Sequence, residues 1–448
     1  MKYLYNLFSC LVILFSISLV VVSCRTPVGP AGFFGKRTPH EQYGQKINDA
    51  GLKETALGRL WFTAAEQSLS KPLSISTPYS ETGYFAADRP VAAGFRFQAK
   101  RGQKLNITLQ KKPTAGFLIY MDLWQVSANN TRPDLLISAD TTTPSINYEV
   151  KKDGSYIVRL QPELLKSGEY TLSISTGPSL AFPVTPKAKA RIGSFWGADR
   201  DGGARKHEGI DIFAPSRTPL VAAADGTIER VQENNIGGKV VWLRPEGKDY
   251  TLYYAHLDEQ SVSSGQSVKE GDVVGLMGNT GNARTTPPHL HFGIYAQGGA
   301  VDPLSFVNPV IKTPEKITAP LAPVGKFVRS DNKLLKLFGE PVVTPSNYVT
   351  IEPNTLLHVE AASASWYKVL MPDGQSGYIQ STATSSINTP IRKFTVTTAQ
   401  PLLDAPDYNA PKKTSLNAGK TVNIIASFRD FYYVKSNDDN EGWISKKP

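Results

Sequence analysis

Cysteine is nearly absent from this chain of 448 residues: its only two cysteines, Cys10 and Cys24, both lie in the first 24 residues. The rest of the chain therefore has no disulfide available and, if exported, must be held together by packing, by a metal, or by both. Long helices are not indicated either. The 36 glycines and 32 prolines, together with many Tyr, Thr and Val, favour strands and turns. The predicted fold class is mainly β, in several domains.

The charge balance is moderately basic, with 49 Lys and Arg against 39 Asp and Glu, a net charge of +10. The basic residues are scattered and form no long run. A patch typical of nucleic-acid binding is therefore not indicated, and we expect no nucleic-acid partner.

The first 24 residues are typical of a targeting segment. An apolar run from Leu7 to Val22 is shorter than the roughly 20 residues that span a membrane, and it leads into Val21-Val22-Ser23-Cys24. A signal that ends in cysteine resembles a bacterial lipoprotein signal. It implies cleavage before Cys24, a lipid on that residue, and an exported protein anchored in the cell envelope facing the periplasm or exterior. A simple signal peptide, or an uncleaved anchor with Cys24 incidental, is the alternative.

The remaining chain divides by composition. Residues 25–70 are predicted to be a tether and a short helical lead-in, with helical spacing near Ile47 to Phe62. Short alternating runs separated by turns such as Lys152-Asp-Gly154 predict an antiparallel β-sandwich over 71–178. A histidine-bearing domain covers 179–312, and a Pro-rich linker covers 313–323.

The C-terminal part contains an internal repeat, predicted as units 324–386 and 387–448. Trp366-Tyr-Lys-Val369 followed by Gly377-Tyr-Ile379 matches Phe431-Tyr-Tyr-Val434 followed by Gly442-Trp-Ile444, with the same spacing. Each unit resembles a bacterial SH3-like barrel. Trp366 and Trp443 could line ligand grooves, but packing is the favoured interpretation, and His358 is interpreted as structural.

Histidine is scarce, with six in the whole chain, yet four of the six fall between residues 207 and 291. Imidazole is the commonest protein metal ligand and an acid or base near neutral pH. In His207-Glu-Gly-Ile-Asp211 the glycine and isoleucines favour a strand, on which His207 and Asp211 share a face, with Gly209 leaving room for an ion.

A second histidine motif predicts two side chains that face a cleft. The alternation of His289-Leu-His291 puts both imidazoles on one side of a strand, with Leu290 buried behind them. The two rings could bind one metal together, or one could bind metal while the other handles protons. In Tyr253-Tyr-Ala-His-Leu257, Tyr254 and His256 are predicted to share a face.

Together these motifs resemble the M23 family of zinc metallopeptidases, the lysostaphin/LytM-type peptidoglycan endopeptidases. The matching motifs occur in family order. The matching motifs are Ser194-Phe-Trp-Gly197, His207-x-x-x-Asp211, Thr218-Pro-Leu-Val-Ala222, Asp225-Gly226-Thr227, Tyr254-Ala-His256-Leu257, Gly265 through Val268, Gly271-Asp272, Val274-Gly275-x-x-Gly278, Thr280-Gly281 and His289-Leu-His291-Phe292.

The resemblance implies the roles of individual residues. His207, Asp211 and His291 would bind Zn²⁺, with an open position for water, and His256 and His289 would be the catalytic pair. Which of the pair takes the proton from water, and which stabilises the oxyanion or protonates the leaving amine, is left open. Pro287 replaces a family glycine and Gly293 a glutamate, which affects loop shape and substrate fit rather than the ligands.

The expected function is zinc-dependent hydrolysis of peptide cross-links in bacterial peptidoglycan, with the peptide stems as the partner. The bond would be D-alanyl–diaminopimelate in a diderm and Gly-Gly where glycine bridges occur. Three alternatives stay open: a non-catalytic scaffold or activator of other wall hydrolases, a zinc peptidase that acts on proteins, and an enzyme inhibited by a fourth ligand. That ligand could come from segment 25–70 or another domain, with Asp199 or Asp201 as candidates.

Overall fold

The computed structural model describes residues 37–127 and 132–447. The predicted lipoprotein signal, including Cys24, lies outside these residues. Within them strands predominate, so the mainly β prediction is confirmed. No helix in the described part is both long enough and apolar enough to cross a membrane.

Two helices open the described chain, α1 (Pro39–Asp49) and α2 (Ala56–Ser70). The single helical segment predicted near Ile47 to Phe62 is wrong, because the chain turns between the two helices. Gly51 has a φ of 70° just after α1, and the Thr55 hydroxyl accepts a hydrogen bond from the amide of Gly58 at 3.1 Å to cap α2.

The helices pack on a β-sandwich. The indole Nε1 of Trp61 donates to the carbonyl of Pro162 at 2.9 Å, and Trp61 is buried. One sheet has the order β1-β3-β8-β5-β6, and the other contains β2-β9-β4-β7. The strands of the sandwich are Leu73–Ser74 (β1), Tyr79–Phe85 (β2), Ala93–Ala99 (β3), Gln103–Lys112 (β4), Ile119–Gln125 (β5), Asp134–Ser138 (β6), Ser145–Glu149 (β7), Gly154–Pro162 (β8) and Gly168–Pro178 (β9).

The middle unit is built on one antiparallel sheet of order β10-β13-β20-β17-β16-β15-β18, with the pair β14–β19 at its side. Its core includes Ile212, Leu252 and Leu290, which are fully buried. Its elements are Arg191–Ser194 (β10), Asp199–Arg200 (β11), Arg205–Lys206 (β12), Ile210–Phe213 (β13), Pro219–Val221 (β14), Gly226–Asn234 (β15), Gly238–Pro245 (β16), Tyr250–Gln260 (β17), Ser267–Val268 (β18), Val273–Met277 (β19), His289–Ala296 (β20), Gly299–Val301 (β21) and the short helix α3, Leu304–Val307.

The two C-terminal units share one strand order, which gives the sequence repeat a structural counterpart. The first runs β24-β23-β27-β26-β25-β22 and the second β31-β30-β34-β33-β32-β29. Trp366 and Trp443 are both buried, as the packing interpretation requires. The strands are Phe327–Ser330 (β22), Leu335–Phe338 (β23), Tyr348–Ile351 (β24), Leu356–Ser363 (β25), Trp366–Leu370 (β26), Ser376–Gln380 (β27), Thr384–Ser386 (β28), Arg392–Thr395 (β29), Gln400–Leu403 (β30), Lys412–Leu416 (β31), Thr421–Phe428 (β32), Phe431–Ser436 (β33) and Glu441–Ser445 (β34).

The sandwich and the first C-terminal unit are joined through a continuous sheet. Strand β2 pairs with β25, with Thr82 opposite Ala362 and Gly83 opposite Ala361. The Pro-rich segment predicted as a linker also packs on this unit, because the amide of Ala319 donates to the carbonyl of Ala364 at 2.9 Å.

Buried charge accompanies this junction. Glu81 is fully buried, and its carboxylate accepts hydrogen bonds from the hydroxyls of Tyr79 and Tyr170, both at 2.6 Å. Lys368, also buried, donates to it at 3.2 Å from the first C-terminal unit. His358 lies at the same junction, 3.1 Å from the guanidinium of Arg89, which agrees with a structural role.

Candidate metal centre

Three side chains of the middle unit converge beside strands β13 and β20. Nε2 of His207 lies 2.9 Å from Nδ1 of His291 and 3.0 Å from Oδ1 of Asp211. Nδ1 of His291 lies 3.1 Å from the same Oδ1. Ligand atoms about 2.0–2.1 Å from a tetrahedral zinc ion would be about 3.3 Å apart, so this set of two imidazoles and one carboxylate fits zinc.

Strand pairing positions two of these residues. Strands β13 and β20 are antiparallel neighbours, and their register sets Asp211 directly opposite His291. His207, predicted to share the strand, instead lies in the loop between β12 and β13. Its backbone is fixed there, because its amide donates to the carbonyl of Ala198 at 2.8 Å and its carbonyl accepts from Gly197 at 2.9 Å.

The ring of His207 is oriented by a hydrogen bond on its far side. Its Nδ1 lies 2.9 Å from the main-chain carbonyl of Phe195, an acceptor, so Nδ1 carries the proton. Nε2 is then unprotonated and faces Asp211 and His291, as a metal-ligating nitrogen requires.

Burial and neighbouring side chains shift the pKa values of Asp211 and His291. Burial alone would raise the pKa of the Asp211 carboxyl, but the contacts of its Oδ1 with His207 and His291 hold it well below its ordinary value. Burial also lowers the pKa of His291. These shifts favour an ionised carboxylate and a neutral imidazole, the forms that bind metal.

His256 and His289 face the same cleft with matching orientation. Nδ1 of His256 donates to the carbonyl of Thr280 at 2.9 Å, and Nδ1 of His289 donates to the carbonyl of Pro287 at 2.9 Å. In the neutral form of each ring, Nε2 is therefore the nitrogen without a proton, and the two ring centres are 5.0 Å apart. Burial, and then the neighbouring His289, lower the pKa of His256 to about 4.

The prediction that Tyr254 and His256 share a face is wrong. Tyr254 is fully buried in the core, where its hydroxyl accepts a hydrogen bond from the amide of Ala223 at 2.9 Å. His256 has a positive φ of 66°, which breaks the alternation of β17 and turns its side chain into the cleft.

The cleft has a volume of about 910 Å³ and is lined entirely by residues between 200 and 295. One wall of the cleft is aromatic. The ring centre of Trp242 lies 4.4 Å from that of Tyr253 and 5.3 Å from that of Tyr295. Strand alternation around Tyr253 could have predicted that its side chain faces the cleft. Trp242 lies on a separate strand and belongs to no motif, so the sequence did not indicate its place in this wall.

A fourth ligand from elsewhere in the described chain is not in place. Helices α1 and α2 pack on the sandwich, and they contribute no residue to the cleft. Asp199 forms an ion pair with Lys206 instead of joining the three candidate ligands. The side chain of Asp201 lies outside what the structure describes.

Sequence reasoning missed Arg200. Its Nη2 donates to Oδ2 of Asp211 and to the hydroxyl of Ser194, both at 2.8 Å. No spacing rule connects Arg200 with Asp211, because a hairpin loop separates them, so only the folded chain reveals the contact.

Comparison with known proteins supports the family resemblance in this unit. Residues 205–303 match peptidase family M23. The chain is 40% identical over 126 residues to an uncharacterized metalloprotease of Haemophilus influenzae, covering 27% of this chain and 26% of the relative. It is 38% identical over 97 residues to the peptidoglycan DD-endopeptidase ShyC of Vibrio cholerae, covering 22% of each. It is 35% identical over 130 residues to the L-Ala–D-Glu endopeptidase of Bacillus subtilis, covering 27% of this chain and 40% of the relative.

The segment matched by the family lies in the unit that carries the candidate metal centre, and the chain spans less than half the length of each of these relatives. The segment 205–303 is similar to peptidase family M23, and two of these relatives are named as endopeptidases.

Proposed function

We propose that this protein is a zinc-dependent endopeptidase that hydrolyses peptide cross-links of bacterial peptidoglycan. One observation carries the proposal. Three atoms of His207, Asp211 and His291 lie 2.9–3.1 Å from one another beside two further histidines whose unprotonated Nε2 atoms face the same cleft.

In this proposal the three residues hold one zinc ion, for which the donor set is suited. Zinc held by these residues would supply the Lewis acidity that water activation and polarisation of the scissile carbonyl require. Two neutral imidazoles and one carboxylate leave the centre with a net charge of +1.

His256 and His289 divide the proton transfer and the oxyanion contact between them. Each is held by a carbonyl on Nδ1, so only Nε2 can act in the cleft. One accepts the proton of the attacking water, and the other stabilises the developing oxyanion or protonates the departing amine.

The substrate class is drawn from the named relatives. One is a DD-endopeptidase and another an L-Ala–D-Glu endopeptidase, so peptidoglycan peptides are common to both while the bond differs. We propose the D-alanyl–diaminopimelate cross-link for a diderm and Gly-Gly where glycine bridges occur. The aromatic wall of Trp242, Tyr253 and Tyr295 is available to pack against the peptide.

The other parts of the chain are assigned supporting roles within the same proposal. A lipid on Cys24 would hold the protein in the cell envelope. The two C-terminal units, as SH3-like repeats, would bind wall peptides.

The test is digestion of purified peptidoglycan by the zinc-loaded protein and by His291→Ala, with the products resolved by mass. Cross-linked dimers should fall to monomers only with the unsubstituted protein, chelation should stop the reaction, and added zinc should restore it. The masses identify the bond. Casein digested in place of the wall would show a peptidase that acts on proteins. A zinc-loaded, folded protein that releases nothing would contradict the proposal and favour the non-catalytic scaffold or activator.

A further inference from the structure

The carboxylate of Asp211 is held from both sides. Oδ1 faces the nitrogens of His207 and His291, and Oδ2 accepts a hydrogen bond from Nη2 of Arg200 at 2.8 Å. The Asp211 side chain is only 10% exposed, so an oxygen left without a donor there would be costly. Arg200 is therefore the group that fixes the plane of this carboxylate.

Arg200 is itself fixed. The same Nη2 donates to the Ser194 hydroxyl at 2.8 Å, and Ser194 lies on β10, which pairs with β13 beside Asp211. Arg200 also lies in the hairpin of β11 and β12, which the ion pair of Asp199 with Lys206 closes.

The same segment positions a second candidate ligand. Gly197 and Ala198, just before the hairpin, bind both ends of the His207 backbone, and the carbonyl of Phe195 orients its ring. One stretch, residues 194–207, thus sets the geometry of two of the three metal-binding side chains.

We propose that Arg200 is a positioning residue of the metal centre. Arg200 holds Asp211 so that one carboxylate oxygen faces the metal site, and this raises the affinity of the centre for zinc. The inference rests on the proposed metal centre. Outer hydrogen-bond partners of metal ligands typically contribute about 10- to 100-fold to affinity.

An opposing effect makes the inference testable. A guanidinium beside a dication repels it, so Arg200 acting only as a charge would weaken zinc binding, and its removal would strengthen it. Positioning predicts the reverse sign. Arg200→Ala should raise the zinc dissociation constant by roughly 10-fold or more, whereas the charge effect alone would lower that constant.

Competition between the purified protein and a chromogenic zinc chelator measures the constant directly, without reference to activity. Arg200→Lys keeps the charge but loses the planar fork, so its dissociation constant should lie between those of the unsubstituted protein and Arg200→Ala. Arg200→Gln keeps an N–H donor without the charge and guards against a misfolded alanine variant. Its binding should also be weaker, because the shorter side chain does not reach both Ser194 and Asp211.

A matched control is Arg244→Ala. Arg244 forms a 2.7 Å ion pair with Glu229 in the same unit but outside the cleft, so zinc binding should be unchanged. Equal or tighter zinc binding by folded Arg200→Ala and Arg200→Gln would overturn the inference while leaving the metal centre standing. An unsubstituted protein that binds no more zinc than His291→Ala would overturn the metal centre and this inference with it.

Discussion

Gly209 lies against the ring of His291, in the loop just before β13, the strand that pairs with β20. A Cβ placed on Gly209 would come within 2.7 Å of Cε1 and 2.8 Å of Nε2 of that ring, and within 2.6 Å of the carbonyl oxygen of Phe292. The sequence suggested that this glycine leaves room for an ion. It leaves room for the imidazole that faces the ion's site.

Gly209→Ala should therefore weaken zinc binding by displacing His291. We expect at least a 10-fold rise in the zinc dissociation constant, with a loss of about 1–3 kcal/mol in the free energy of unfolding from overpacking. Chelator competition and denaturant unfolding measure the two effects. Gly177→Ala is the control, since nothing lies within 4 Å of a Cβ placed there; equal zinc affinities in the two variants would rule out this account of Gly209.

Replacing the two cleft histidines by asparagine should separate catalysis from metal binding. His256→Asn and His289→Asn keep a side-chain donor close to the place of Nδ1, for the carbonyls of Thr280 and Pro287, but remove Nε2 from the cleft. Asparagine also tolerates the positive φ of residue 256.

We expect kcat/KM on cross-linked muropeptides to fall about 10²- to 10⁴-fold in each variant, as is typical for loss of a general acid or base. Zinc content, measured by metal analysis, should stay at one ion per chain. A variant that loses its zinc would place that histidine among the ligands instead.

Acid should destabilise the fold through His40. Burial, and then the positive charge of Arg159, lower its pKa from 6.5 to about 4, and it is hydrogen-bonded to Gln161 at 2.6 Å. Because the folded pKa lies below the unfolded one, the unfolded chain binds the proton more readily as the pH falls from 6.5 towards 4.

The contribution of His40 is therefore complete above pH 6.5 and lost by about pH 4, an effect on the order of 3 kcal/mol. In His40→Gln the free energy of unfolding should depend less steeply on pH across this window, as measured by denaturant titration at several pH values. Parallel curves for the two proteins would show that His40 is not responsible. Burial, and then the positive charge of Arg89, also lower the pKa of His358 to about 4. Protonation of His358 therefore lowers the free energy of unfolding in acid in both proteins.

Removing the cation from the buried junction should be costly. Lys368→Met leaves the Glu81 carboxylate buried with the hydroxyls of Tyr79 and Tyr170 as its hydrogen-bond partners among the described residues. Breaking a buried pair typically costs about 3–5 kcal/mol. Lys420→Met removes a cation from an exposed 2.7 Å pair with Asp438 and should cost less than about 1 kcal/mol. Denaturant unfolding compares them, and similar losses would mean that the junction pair adds little.

The sequence predicted the mainly β fold, and the five residues that its motifs singled out line one cleft. Both successes depend on short-range patterns: alternation placed His289 and His291 on one side of β20 with Leu290 buried behind, and the H-x-H and H-x-x-x-D motifs supplied the rest. These patterns hold because strand geometry repeats every two residues.

The failures depend on local backbone geometry and on contacts between distant segments. Alternation failed at His256, where a positive φ reverses the side chain, and at His207, which precedes its predicted strand. Arg200 and the pairing of β2 with β25 could not be predicted, because no periodicity links segments that meet only after folding.

The pairing of β2 with β25 also makes the order of units in space differ from their order along the chain. A shortened protein that ends after the middle unit would uncover the β25-facing edge of β2, together with Glu81 and the tyrosines around it. An open strand edge is a template for another chain. Such a shortened protein would therefore be prone to self-association. If it lost activity, the loss would be a consequence of aggregation and not evidence that the C-terminal units bind the wall.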